Sequence, residues 1–334
     1  MAAKIEKISG VAFLPFIDMK ELLLSELQRR FNYDCSNAIY YGDLVYLPDY
    51  NIETGIPYFA RCAMLEPFII HFDSIGDAAG ELKKIQRSWA PYSFTCFRRA
   101  ALIQEKLPYV NLNPKTFPAK IPAGATGLYT LIDDHAMIAS AATNTTVPAG
   151  RIEFIEDHEN PPSRAYLKIQ ESLSLAAHYF NVQLPGKGSR CFEAGACPGG
   201  WTWVLVNQGA EVFAVDRAEL APALMKNKLV TFLAHDAFTL KPEELGSFDW
   251  VISDVICYPE RLLEWIKMWL ASGKTKNMIC TIKMQGEINW PLIKEFADIP
   301  NSRVVHLNYN KHELTFIHSS CCPDGMALSG KHNS

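Results

Sequence analysis

The sequence is short of the features that usually settle a protein's class at sight. None of its nine cysteines forms a CxxC pair or a Cys/His cluster with zinc-finger spacing, so a finger-type metal site is excluded. Free cysteines without such pairing suit a reducing cytoplasm, which is the expected location. No apolar run approaches the roughly 20 residues a helix needs to span a bilayer. Gly10 to Ile17 is apolar but too short and too poorly flanked to read as a secretory signal. There is no internal repeat and no low-complexity tract. Neither sign of charge predominates: 32 basic residues face 36 acidic ones, and the net charge of −4 argues, as an average, mildly against a nucleic-acid partner.

The chain does have apolar residues in quantity. They make up 49% of 334 residues, enough for about two domains with a sizeable core. Its character changes near residue 150. Before that point helical and strand-like pieces mix without rhythm, and Asp18 to Arg30 reads as an amphipathic helix. Thr/Asn/Pro-rich Ala141 to Gly150 and the Asp157 to Pro162 segment mark a linker region. The expected layout is a smaller α+β domain over 1–150, an α/β domain over 151–325 and a tail over 326–334, with the Cys321-Cys322 pair near the end also read as tail and not as a site.

In the second domain, short runs rich in β-formers alternate with helical stretches. The runs are Arg190–Ala194, Glu211–Asp216, Val230–Asp236, Phe248–Asp254, Met278–Lys283, Arg303–Tyr309 and Leu314–His318. Helical patterns fill Gly199–Asn207, Pro259–Leu270 and Trp290–Ala297. Such alternation predicts a mostly parallel sheet covered on both faces. The last two runs are joined too briefly for a parallel crossover and should form an antiparallel hairpin. A Rossmann-like doubly wound sheet ending in such a hairpin is the topology of class I S-adenosylmethionine-dependent methyltransferases.

One segment carries the chemistry: Glu193-Ala194-Gly195-Ala196-Cys197-Pro198-Gly199-Gly200-Trp201 follows the first run and opens a helix. The spacing is G-x-x-x-G-G, not the G-x-G-x-x-G that brings a pyrophosphate to a helix amino terminus. Pro198 also removes a backbone donor. S-adenosylmethionine has no phosphate, and its ammonium needs acceptors, which Glu193 and the loop carbonyls can supply. Asp216, 21 residues after Gly195, is placed to accept from ribose hydroxyls, and Asp236 from an adenine amino group.

Cys197-Pro198-Gly199-Gly200-Trp201-Thr202 resembles the first motif of the FtsJ-like ribose 2′-O-methyltransferases. With Ser163-Arg164-Ala165-Tyr166-Leu167-Lys168 upstream, the segment looks closest to the RlmM branch, which modifies a cytidine of large-subunit (23S) ribosomal RNA. The resemblance covers roughly residues 160–320. It implies a Lys-Asp-Lys-Glu tetrad matched by Lys168, Asp254, Lys283 and Glu313, with Asp254 also close to the cofactor. The residue types make sense on their own. A ribose hydroxyl must lose its proton as it attacks a methyl group, and a lysine can take it if burial and a second ammonium lower its affinity for protons. Lys283 is expected as the general base, Lys168 as the group that orients the hydroxyl, and the two acids as the holders of both. After Asp254 the chain reads Val255-Ile256-Cys257-Tyr258-Pro259, which departs from that branch in lacking charge. The amino-terminal part is shorter than in that branch, and the resemblance implies an RNA-binding role for it through a THUMP-like or reduced module.

From Lys83 to Lys120 the acidic average reverses. Lys83, Lys84, Arg87, Arg98, Arg99, Lys106, Lys115 and Lys120 are opposed only by Glu105. Trp89, Tyr92, Phe94, Phe97, Tyr109 and Phe117 are interleaved. Cations for phosphates and flat rings for unstacked bases suit single-stranded RNA, so RNA is the expected partner. The alternative is a solvated helix face over core aromatics. Trp265 and Trp269, four apart on a helix, read as core, and Cys197 as part of the cofactor loop rather than as a nucleophile. The competing functions are the same chemistry on a transfer RNA, a non-catalytic RNA-binding protein that kept the fold, and a small-molecule methyltransferase.

Overall fold

A computed structural model describes residues 3–320, so Cys321-Cys322 and the expected tail over 326–334 lie outside the described residues. The chain divides into two compact units. Of the described residues, one unit holds those up to Lys115 together with Ile121–Glu153, and the other holds Thr116–Lys120 and those from Phe154 to Ser320. Among the described residues no helix is long and apolar enough to cross a membrane.

The first unit contains, in order, β1 (Lys4–Lys7), β2 (Val11–Pro15), α1 (Lys20–Arg29), β3 (Ile39–Tyr41), β4 (Leu44–Leu47), β5 (Ala60–Met64), β6 (Phe68–His71), α2 (Ile75–Ile85), β7 (Trp89–Pro91), α3 (Phe97–Lys106), β8 (Gly127–Leu131) and β9 (Ala136–Ser140). Its strands form a five-stranded sheet, β1-β6-β9-β8-β7, and a four-stranded sheet, β3-β4-β2-β5. Strand alternation explains how they stack. Tyr129, Leu131, Met137 and Ala139 face one way and pack with Ala78, Leu82, Ala100 and Ile103 of α2 and α3. Leu128 and Ile138 face the other way and pack with Leu14, Leu44, Tyr46 and Met64 of the smaller sheet. β8 and β9 are therefore buried on both sides along their whole length. The amphipathic helix expected over Asp18 to Arg30 is α1, and it buries Leu23, Glu26 and Leu27. Glu26 survives burial because its carboxylate accepts from the backbone N–H groups of Tyr58 and Phe59 and pairs with Arg30.

The second unit runs α4 (Tyr166–Phe180), β10 (Arg190–Ala194), α5 (Gly200–Asn207), β11 (Glu211–Asp216), α6 (Pro222–Met225), β12 (Val230–Ala234), α7 (Pro242–Leu245), β13 (Phe248–Ser253), α8 (Pro259–Ser272), β14 (Thr275–Lys283), α9 (Trp290–Ala297), β15 (Ser302–Val305) and β16 (Glu313–Ser319). The sheet order is β12-β11-β10-β13-β14-β16-β15. All pairs from β12 to β14 are parallel, while β16 runs antiparallel to both β14 and β15. This is the doubly wound, hairpin-terminated sheet expected of class I methyltransferases. Trp265 and Trp269 of α8 bury themselves in the core, where Trp269 lies 5.2 Å from the Phe192 ring of β10.

Candidate active site

The chain leaves β10 toward β11 and β12 on one side of the sheet and leaves β13 toward β14 on the other. Between β10 and β13 lies the topological switch point, where an open parallel sheet takes its ligand beyond the carboxyl ends of the strands. The two loops that emerge there touch. Gly195 adopts φ +76°, and a Cβ built on it would lie 2.5 Å from Val255 Cγ2. Only glycine lets the turn after β10 lie against the loop after β13.

The glycine turn is also joined to α4. A Cβ on Gly200 would meet Ser163 Oγ at 2.5 Å and the Tyr166 nitrogen at 3.3 Å. The Trp201 indole Nε1 donates to the Ala165 carbonyl oxygen at 3.0 Å, and Trp203 packs edge-on against Tyr166. The motif at residues 197–202 and the segment at 163–168 therefore fix one another, and Lys168 is carried on the helix that results.

Asp216 ends β11. Its Oδ2 accepts from the Cys197 N–H at 3.0 Å and its Oδ1 from the Ala218 N–H at 3.0 Å. Each oxygen keeps a lone pair for a further donor. Asp236 sits 27% exposed between two cations, 2.9 Å from Arg217 and 3.4 Å from Arg261. Burial works against its charge, but the Phe238 N–H and the two guanidiniums outweigh it and hold the carboxyl below its usual range. Burial and the neighbouring Asp216 raise the Cys197 thiol, which does not favour a nucleophile there.

Glu193 lies at the end of β10, beneath the glycine turn. It is 2% exposed and accepts from Thr202 Oγ1 at 2.6 Å, bracing β10 against α5. Burial pushes its carboxyl up to about 8, with Asp254 and Asp216 adding to the shift against the Thr202 hydrogen bonds. A folded state that holds its proton more tightly than the unfolded chain does is stabilised at low pH. Here that contribution is complete below about 4.5 and is lost as pH rises through about 8. Glu193→Gln, which cannot ionise, should flatten this decline in urea midpoints measured across that range. An unchanged slope would contradict the assignment.

The four residues expected to form a tetrad come from α4, the loop after β13, the end of β14 and the start of β16. Register pairs Lys283, at the end of β14, with Glu313, at the start of β16. Lys168 Nζ forms an ion pair and hydrogen bond with Glu313 Oε1. Lys283 Nζ donates to the Asp254 carbonyl oxygen at 2.7 Å and lies 3.1 Å from Asp254 Oδ1, close enough for an ion pair but without hydrogen-bond alignment. The four side chains are 15–23% exposed, so their charges are partly desolvated yet reachable. Burial alone would raise the Glu313 carboxyl, but the Lys168 hydrogen bond and charge, helped by Lys283, take it below its usual range. Glu313 thus pairs with Lys168 and feels the charge of its register partner Lys283, whose ammonium is held at Asp254 in the loop that rests on the glycine turn.

The basic stretch lies mostly in the other unit. Lys83 and Lys84 sit in the last turn of α2, and Arg98, Arg99 and Lys106 on α3. Trp89 is a correction: it is fully buried, its Nε1 donates to the Leu82 carbonyl, and it cannot stack on a base. Phe117 packs on Phe154. Phe97 and Tyr109 are the rings left exposed.

Two groups escaped the sequence reading. Arg217 and Arg261 bracket Asp236 from positions with no motif of their own. Glu171, one helical turn after Lys168, is buried and accepts from the Asn308 N–H at 3.0 Å, Asn308 Nδ2 at 2.7 Å and the Tyr309 N–H at 3.3 Å. It clamps the loop before Glu313 onto α4. The only signal for it was its helical spacing from Lys168.

The sequence profile of FtsJ-like methyltransferases matches residues 161–291, which takes in Lys168, the glycine turn, Asp254 and Lys283. A ribosomal RNA large subunit methyltransferase M from Xanthomonas campestris is 30% identical over 263 residues, spanning 75% of this chain and 70% of the relative. A protein of the same name from Hahella chejuensis is 27% identical over 270 residues, spanning 74% of this chain and 64% of the relative. The one from Xylella fastidiosa is 31% identical over 166 residues, spanning 48% of this chain and 46% of its own. The chain belongs to the ribosomal RNA large subunit methyltransferase M family.

Proposed function

We propose that this protein is an S-adenosylmethionine-dependent methyltransferase that modifies a ribose 2′ oxygen of large-subunit ribosomal RNA. The observation that carries the reading is that Lys168 pairs with Glu313 while Glu313's register partner, Lys283, pairs with Asp254 in the loop that contacts the glycine turn. The cradle suits this cofactor. A turn that any Cβ would block, an aspartate with lone pairs to spare and a missing backbone donor at Pro198 fit a nucleoside without phosphate better than a pyrophosphate. When bound, S-adenosylmethionine supplies an electrophilic methyl group on a sulfonium.

The chain's own part is then to hold and deprotonate the acceptor. Lys283 takes the hydroxyl proton, Asp254 fixes its Nζ, and Lys168, steadied by Glu313, orients the hydroxyl. Displacement at a methyl group depends mainly on alignment, and a site built on strand ends supplies it. The test is to incubate the protein with labelled methyl donor and ribosomal RNA lacking its own modification, then map the labelled nucleotide. Label on a ribose of large-subunit RNA supports the reading, and label on a base or on no RNA overturns it.

The amino-terminal unit is proposed to capture the RNA. Arg98 and Arg99 follow exposed Phe97 at the start of α3 and line, with Leu102 and Ile75, a cavity of about 530 Å³. Lys83, Lys84, Arg87 and Lys106 extend the positive surface. RNA affinity should fall steeply with salt. Arg98→Glu with Arg99→Glu should weaken binding about tenfold in a filter or anisotropy assay and flatten its salt dependence. Unchanged affinity would remove this face as the footprint.

A further inference from the structure

We propose that Ile256 and Tyr258 form an apolar lip that holds the base of the nucleotide whose ribose enters the tetrad. The inference rests on the ribose-methylation reading above and adds a subsite to it. β13 ends at Ser253, Asp254 pairs with Lys283, and the next four residues alternate inward and outward. Val255 rests on Gly195, and Cys257 is buried. Ile256 is 79% exposed and Tyr258 66% exposed, the two most exposed large apolar side chains among the described residues of this unit.

A single exposed isoleucine is ordinary, but two outward apolar groups in one short loop beside a reactive centre ask for an occupant. Covalent geometry supplies one. The carbon that bears the 2′ oxygen adjoins the carbon that bears the base, so a ribose hydroxyl at Lys283 brings its base to the residues that flank Asp254. The loop is also a rigid platform. The Val255 N–H donates to Ser253 Oγ at 3.3 Å, and Pro259 opens α8 immediately after Tyr258. A splayed base recognised in this way stacks on an aromatic face and excludes water from the reacting oxygen. The lip carries no charge, so it would select for a flat ring rather than for a particular hydrogen-bonding edge.

Both side chains are exposed, so replacing them should leave the thermal midpoint and methyl-donor binding unchanged. Tyr258→Ala should raise KM for the RNA about 10-fold, and adding Ile256→Ser should take the loss toward about 100-fold. Tyr258→Phe, which keeps the ring, should remain close to wild type. A 2-aminopurine placed at the mapped target position should be quenched by the wild-type protein and not by Tyr258→Ala. A double variant with wild-type KM and turnover overturns the lip, as does a Phe variant as poor as Ala. A concentration-dependent dimer lost in the double variant, with KM unchanged, would give the patch to a second copy of the chain instead. If the wild-type protein methylates no RNA, the parent reading falls and takes the lip with it. Transfer by the wild type with no effect of the variants removes the lip alone.

Discussion

Lys283→Ala should lower single-turnover methyl transfer by about 10³-fold, within the range expected when a positioned proton acceptor is removed. Donor binding should stay near wild type, because Lys283 points to Asp254 and makes no hydrogen bond to the glycine turn. The thermal midpoint should move by only a few degrees, since the lost ion pair is misaligned and partly exposed. Lys283→Arg separates charge from proton transfer. It keeps a cation opposite Glu313, but a guanidinium does not give up its proton in proteins. If Arg restored most of the rate, Lys283 would be an electrostatic group and the base would lie elsewhere.

The second large effect is on stability. Glu171→Ala should destabilise the protein by about 3–5 kcal/mol, because three N–H donors at Asn308 and Tyr309 lose their buried acceptor and a cavity is left behind. At this chain length the midpoint should fall by about 10 °C. Burial pushes the Glu171 carboxyl up to about 7 against those same donors, so it is held by geometry more than by charge. Glu171→Gln keeps the shape and one acceptor and should cost about 1–2 kcal/mol. Turnover should also fall in the Ala variant more than donor affinity does, because the loop that presents Glu313 to Lys168 is released. A stable Ala variant with normal turnover would show that the clamp is not needed.

The methyltransferase unit was largely legible because its signals are local. Arg190–Ala194 and Glu211–Asp216 are strands with the very bounds their apolar runs suggest, since a parallel strand buried on both faces leaves no polar alternation to blur it. The hairpin followed from the short link before Glu313, although the observed β15 stops at Val305 and the link is longer. The tetrad needed more than periodicity: the resemblance selected Lys168 and Glu313, which only the fold brings together across 145 positions. Glu171 and the Arg217–Asp236–Arg261 cluster stayed hidden because a buried acid and a surface ion pair look alike until their partners are known. In the amino-terminal unit the pairing of β1 with β6 and of β6 with β9 joins distant segments that carry no motif. Trp89 was misread for a related reason: an aromatic among cations has the same sequence signature whether it faces core or solvent.

The most direct test of the central claim uses an RNA whose mapped target nucleotide carries a 2′-deoxy sugar and is otherwise unchanged. The protein should bind this RNA about as well as the natural one, because the phosphates and base remain, and should transfer no methyl group to it. Methyl incorporation at an undiminished rate would mean that the acceptor is not the sugar oxygen and that the paired lysines serve another chemistry.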